Sequence, residues 1–169
     1  MPIRQATLRE YSARPAIRQT IAEARREATP TAFLSHSHKD AVLAKGVQSY
    51  FSQSGWNVYI DWEDGAMPDR PNRETADRIR EKIRETDLFL FLATANSMAS
   101  RWCPWELGYA DGRKIDDSIF ILQTSDSLGS TFGNEYIGLY RRIDEYSLGG
   151  VQVIDTYGIS RPIRGKVRP

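Results

Sequence analysis

The 169-residue chain carries 23 Lys+Arg against 22 Asp+Glu, a net charge of +1, and a single cysteine, Cys103. That length suits one domain with a full core, the balanced charge gives no basis for a nucleic-acid partner, and one cysteine excludes an intramolecular disulfide framework and any multi-cysteine zinc site. No apolar run approaches a membrane span and the N-terminus lacks an apolar signal core, so a cytoplasmic protein with no membrane partner is expected.

Residues 1–28 are Arg-rich and divided by Pro15. Ile17, Ile21 and Ala24 recur at helical spacing and predict a helix from Pro15 to Ala28, an N-terminal helical extension packed on the domain or on a partner. Thr29-Pro30-Thr31 ends it, and the domain proper is expected over residues 29–160. Ala32 to Ser37 reads as a buried first strand. Ser37-His38-Lys39-Asp40 has the capping-box pattern before a helix whose inward positions are Leu43, Val47, Tyr50 and Phe51, with Gly55 as its C-terminal glycine. Trp56 to Asp61 is the second strand, and Trp62 to Asn72 a loop with Glu63, Asp64, Gly65, Pro68 and Pro71. Asn72 caps a third helix carrying Ala76, Ile79 and Ile83 inward.

Leu88 to Ala93 is uninterruptedly apolar, as a central strand covered on both faces would be. Thr94 to Ser100 is a polar connector, and a helix opens near Ser100 or Cys103 and ends near Gly112 to Lys114. Ser118 to Leu122 is the fourth strand. Beyond Gln123 the pattern weakens: Tyr136 to Tyr140 is a short helix or turn, Val151 to Ile154 a fifth strand, and residues 161–169 a basic, loosely docked tail. Strand and helix alternate with short connections, which argues for a parallel sheet with helices on both faces. The simplest topology is an α/β, flavodoxin-like three-layer sandwich with about five parallel strands in the order 2-1-3-4-5, whose first three strands exit on one rim.

On that rim the helix after the central strand places Glu106 in its first turn or just after, with Trp102 four residues earlier on the same face and Arg113 further along it. Pro104 is tolerated so close to a helix start because its missing N–H has no intrahelical partner there. Crevices form beyond the carboxyl ends of parallel strands, so a carboxylate and a Trp there mark a ligand site; the same pair also serves capping and packing in many helices. Asp61, Glu63 and Asp64 offer oxygen ligands, but no carboxylate pair matches them at the first strand's end, so no metal is expected and a phosphoacceptor receiver is disfavoured. His36 and His38 with one cysteine do not make a zinc site. There is no G-x-G-x-x-G and no Walker loop. Cys103 has no activating histidine near it in sequence.

Three blocks together resemble a Toll/interleukin-1 receptor (TIR) domain in its bacterial form. Phe33-Leu34-Ser35-His36-Ser37-His38-Lys39-Asp40 looks like the first-strand box, Asp61 to Pro71 is similar to the long loop, and Ser100-Arg101-Trp102-Cys103-Pro104-Trp105-Glu106-Leu107 looks like the catalytic block with its Trp-x-x-x-Glu. The resemblance covers residues 32 to about 124. It implies cleavage of NAD+ between nicotinamide and ribose, giving ADP-ribose or a cyclic or conjugated ADP-ribose signal, as in Thoeris-type antiphage defence. It implies Glu106 as the catalytic carboxylate and Trp102 as a wall of its pocket. Phe33, Ser35, Ser37, His38, Asp61 and Arg113 are the remaining substrate-binding positions. NAD+ is then a substrate, and no cofactor or metal is implied. Some relatives have basic residues after the first strand; here that position holds His38, and Arg101 or Arg113 would supply the phosphate charge.

The chemistry suits these residues. The nicotinamide of NAD+ is cationic and leaves neutral, so a paired acid and base is not required. One carboxylate can stabilise an oxocarbenium-like transition state, and an aromatic wall offers stacking and excludes water. The resemblance further implies homo-oligomers through TIR–TIR contacts, with Trp62 to Asn72 as the assembly surface. The length leaves no room for a second effector domain, so a separate effector protein responding to the product is expected. The alternatives are a non-catalytic adaptor and a nucleoside deoxyribosyltransferase-like enzyme, which would turn over deoxynucleosides instead.

Overall fold

The computed structural model describes residues 1–16, 19–67, 72–147 and 150–162. Its sheet is built around β4 (Leu88–Ala93), which is buried at every position. The alternation of a strand sends Leu88, Leu90 and Leu92 to one face and Phe89, Phe91 and Ala93 to the other, and each set enters a separate core cluster. β4 pairs in parallel with β2 (Thr31–Ser35) on one side and β5 (Ile119–Ser125) on the other. β3 (Asn57–Tyr59) extends the sheet beyond β2 and β6 (Arg141–Glu145) extends it beyond β5, both in parallel.

The expected order of the first four strands is therefore the observed one. The fifth parallel strand differs: it is Arg141–Glu145, while Val151–Ile154 forms β7, antiparallel to β6, followed by antiparallel β8 (Ser160–Pro162). Arg141-Arg142-Ile143-Asp144-Glu145 has one apolar residue and no apolar period, so its strand character comes from pairing with β5. Arg161 and Pro162 of the expected tail close β8; residues 163–169 lie outside the described residues, as do Pro68 and Pro71 of the long loop.

Helices cover both faces. α1 (Gln5–Ser12) and α3 (Ala41–Ser52) contribute Leu8, Leu43, Val47 and Phe51 to one cluster. α4 (Arg73–Glu85) and α6 (Trp102–Asp111) contribute Ile79, Ile83, Cys103 and Leu107 to the other. Asn72 caps α4 as its sequence predicts, exchanging hydrogen bonds with Thr75. Among the described residues no helix is long and apolar enough to cross a membrane.

The N-terminal segment departs from its sequence pattern. The helix expected from Pro15 to Ala28 is limited to α2 (Ile21–Arg26), opened by a capping box between Thr20 and Glu23; Ile17 lies outside the described residues. Upstream, β1 (Ile3–Arg4) pairs with the end of β5 at Thr124 and Ser125, and Ile3 and Leu8 are fully buried. α1 lies so close on α3 that a Cβ on Gly46 would overlap the Leu8 carbonyl oxygen. The connector after β4 contains a short helix, α5 (Ala95–Met98), capped by Thr94 and Ser97. The capping box expected at Ser37–Asp40 also resolves differently. Ser37 caps a 3-10 turn, and the Asp40 carboxylate accepts from Thr94 Oγ1 at 2.6 Å and Asn96 Nδ2 at 2.7 Å, tying the start of α3 to the exit of β4.

Candidate active site

The exits of β2, β3 and β4 converge on one rim and enclose a cleft of about 580 Å³. The segment after β2 supplies His36, Ser37, His38 and Lys39. The turn after β3 supplies Asp61, Trp62 and Asp64. The start of α6 supplies Ser100, Trp102 and Glu106. α6 opens here because the Ser100 hydroxyl accepts from the backbone N–H groups of Trp102 and Cys103, at 3.2 and 3.3 Å.

Glu106 is 4% exposed. Burial disfavours its charged form and pushes its pKa up to about 8; nearby Asp61 pushes the same way, and the Ser35 hydroxyl at the end of β2 opposes them. Ser35 Oγ is itself buried beside the carboxyl. Trp102 is half-buried, and its ring meets Trp105 edge-on at 5.3 Å. Cys103 is fully buried, and burial and the neighbouring Glu106 push its thiol up to about 11. A thiol held protonated is not a nucleophile.

Asp61 Oδ1 lies 3.8 Å from His36 Nε2. Its neighbours in the acidic turn are committed elsewhere: Glu63 pairs with Lys45 and accepts from Gln48 Nε2 at 2.8 Å, and Asp64 accepts from the Tyr59 hydroxyl at 2.8 Å. Among the described residues no group of three or more His, Cys, Asp and Glu side chains is placed to hold a metal ion.

The expected site residues therefore divide. Glu106, Trp102, Ser37, His38 and Asp61 line the cleft, with Ser35 directly behind Glu106. Phe33 does not line it: the ring is 1% exposed and stacks between Tyr59 and Phe89 in the core. Arg113 is exposed beyond the end of α6, its guanidinium 5.8 Å from the Tyr109 ring, because the helix carries it about two turns past Glu106. Among the described residues, the lysine that lines the cleft is Lys39, which sequence reasoning passed over as part of a helix cap. His36 and Trp62 were also missed as site residues. The only signal for Trp62 was an indole directly after Asp61 at the exit of a strand.

Residues 32–145 match the family described as TIR domain. Two curated relatives bear on its members. The chain is 40% identical over 110 residues to the Bacillus cereus (strain MSX-D12) protein named "Probable 3' cyclic ADP-D-ribose synthase ThsB'", covering 64% of this chain and 57% of that protein. It is 28% identical over 97 residues to the Cytobacillus dafuensis protein named "Putative cyclic ADP-D-ribose synthase TIR2", covering 56% of this chain and 25% of that one. The chain thus spans about half the length of the first relative and a quarter of the second.

Proposed function

The chain belongs to the TIR-domain family, and from that premise we propose that it is an enzyme that cleaves NAD+ between nicotinamide and ribose and forms a cyclic ADP-ribose. The observation that carries the reading is Glu106: a carboxyl 4% exposed, held up to about 8, at the rim where three parallel strands open. Perturbed carboxyls in clefts are candidate catalytic groups. As the glycosidic bond breaks, its electron pair goes to the nicotinamide ring nitrogen, which leaves neutral, and positive charge develops at the ribose. The Glu106 carboxylate stabilises that charge, and the low-dielectric surroundings strengthen the interaction. Trp102 forms an aromatic wall beside the reacting ribose and keeps water away. A nucleophilic atom of the same dinucleotide then closes on the ribose and loses its proton, giving the cyclic product; water in its place gives ADP-ribose.

The names of both relatives favour the cyclic product. The reading extends to a cytoplasmic antiphage role, in which the product signals to a separate effector protein, and to activation through homo-oligomer contacts. Lys39 and His38 line the cleft, and in this reading they meet the diphosphate.

Purified protein incubated with NAD+ and followed by liquid chromatography and mass spectrometry tests this, with Glu106→Ala alongside. The expected result is nicotinamide release by the wild type, a second product of the mass of cyclic ADP-ribose, and a loss of about a hundredfold or more in the variant. Undiminished release by folded Glu106→Ala protein would end the assignment. Turnover of deoxynucleosides instead of NAD+ would transfer it to the deoxyribosyltransferase class.

A further inference from the structure

The cleft holds a second tryptophan whose surroundings differ from those of Trp102. Trp62 is 40% exposed, yet its one polar atom is anchored, because Nε1 donates to His36 Nε2 at 2.9 Å. The imidazole side chain is 2% exposed, and its other nitrogen, Nδ1, lies 3.0 Å from the Leu34 carbonyl oxygen. A carbonyl oxygen only accepts and an indole N–H only donates. The two partners together therefore admit one form of the ring: neutral, with the hydrogen on Nδ1 and the lone pair on Nε2. Burial favours the same neutral form, as does His38, against the opposing pull of Asp61, the Leu34 carbonyl and Asp40.

We propose that His36 is a positioning residue that latches Trp62 as a fixed aromatic face at the mouth of the cleft, where the indole stacks on the adenine of the dinucleotide. The inference rests on the NAD+ reading above. Glu106 and Trp102 act at the nicotinamide end, deep in the cleft, so the exposed indole at the mouth meets the ring farthest from the bond that breaks. An exposed indole free to rotate has to be ordered at each binding event; one held in place beforehand avoids that entropic cost. The rest of the turn is tethered in the same way. Lys45 pairs with Glu63 and its ammonium lies 5.4 Å from the Trp62 ring centre, and Tyr59 holds Asp64. Since the chemical step belongs to Glu106, the latch acts on binding.

The test compares wild type, His36→Leu, His36→Gln and Trp62→Ala, each checked for folding by circular dichroism. His36→Leu and Trp62→Ala are expected to raise KM for NAD+ about tenfold with kcat within about twofold of wild type. Binding of ADP-ribose, which keeps the adenine and lacks the nicotinamide, weakens by a similar factor in calorimetry. His36→Gln, whose amide oxygen can accept from the indole, restores both. The Trp62 indole proton, identified in nuclear magnetic resonance spectra by its loss in Trp62→Ala, exchanges slowly in the wild type and fast in His36→Leu. An unchanged KM in folded His36→Leu overturns the proposal. So does a loss confined to kcat, a loss in His36→Gln equal to that in His36→Leu, or a rapidly exchanging indole proton in the wild type. If the wild type releases no nicotinamide but binds ADP-ribose through a slowly exchanging Trp62, the cleavage reading fails and the latch stands; if it does neither, both fail.

Discussion

Glu106 faces opposite demands from folding and from chemistry. Its pKa in the folded chain, about 8, lies above the ordinary glutamate value. The native state therefore keeps a proton that the unfolded chain has already released. The resulting contribution to stability is fully present below the unfolded pKa and is lost as pH rises through 8. Glu106→Gln, which is neutral at every pH, is expected to melt several degrees higher than wild type already at pH 7, with the gap narrowing toward about pH 5 and levelling off above about pH 8, since about 1 kcal/mol moves the melting temperature of a domain this size by about 2–4 °C. The proposed activity needs the ionised form, so kcat/KM should rise with pH and inflect near 8. The bound substrate brings a cationic ring that favours the carboxylate, so the inflection in kcat should lie lower than the one in kcat/KM. Rates measured from pH 6 to 9.5 check both. A profile flat through that range would mean that Glu106 does not act as a carboxylate.

The element that most departs from its sequence is the N-terminal segment. α1 buries Leu8 against α3, and the two backbones approach closely because Gly46 has no side chain. A methyl group there meets the Leu8 carbonyl oxygen, and backbone cannot step aside as a flexible side chain can. Gly46→Ala is expected to destabilise the protein by about 2–3 kcal/mol, read as a fall of several degrees in thermal unfolding. α1 and α3 cover one face of the sheet, while α6 and Glu106 belong to the other. Below its melting temperature the variant should therefore keep wild-type activity per folded molecule. β6 teaches a related lesson. Only Ile143 of its five residues is apolar and fully buried, and the strand exists because β5 offers it an edge.

At the scale of the molecule, the turn that walls the cleft supplies Trp62, Asp64, Gly65 and Met67, which belong to the Trp62 to Asn72 loop expected to form the assembly surface. Assembly of copies through that loop would change the cleft directly. Specific activity is therefore expected to rise with protein concentration, in step with an increase in mass measured by light scattering. Activity independent of concentration, from a protein that stays monomeric throughout, would remove assembly from the mechanism.

What the sequence determined by itself was the part governed by local period and spacing. Leu88 to Ala93 announced a central strand because every position had to be apolar. Asn72 announced a cap, and Trp102 and Glu106, four apart at a helix start after that strand, announced the rim on which the candidate cleft opens. What only the tertiary structure decided depends on residues far apart in the chain. Phe33 turned inward while Ser35, two positions later on the same strand, came to lie beside Glu106; Lys39 rather than Arg113 reached the cleft; His36 and Trp62 met across 26 positions. A periodic pattern states which face of an element is buried, because burial repeats with the geometry of the backbone. It cannot state which side chains from different elements meet at a rim, because that is set by the register and packing of the whole sheet.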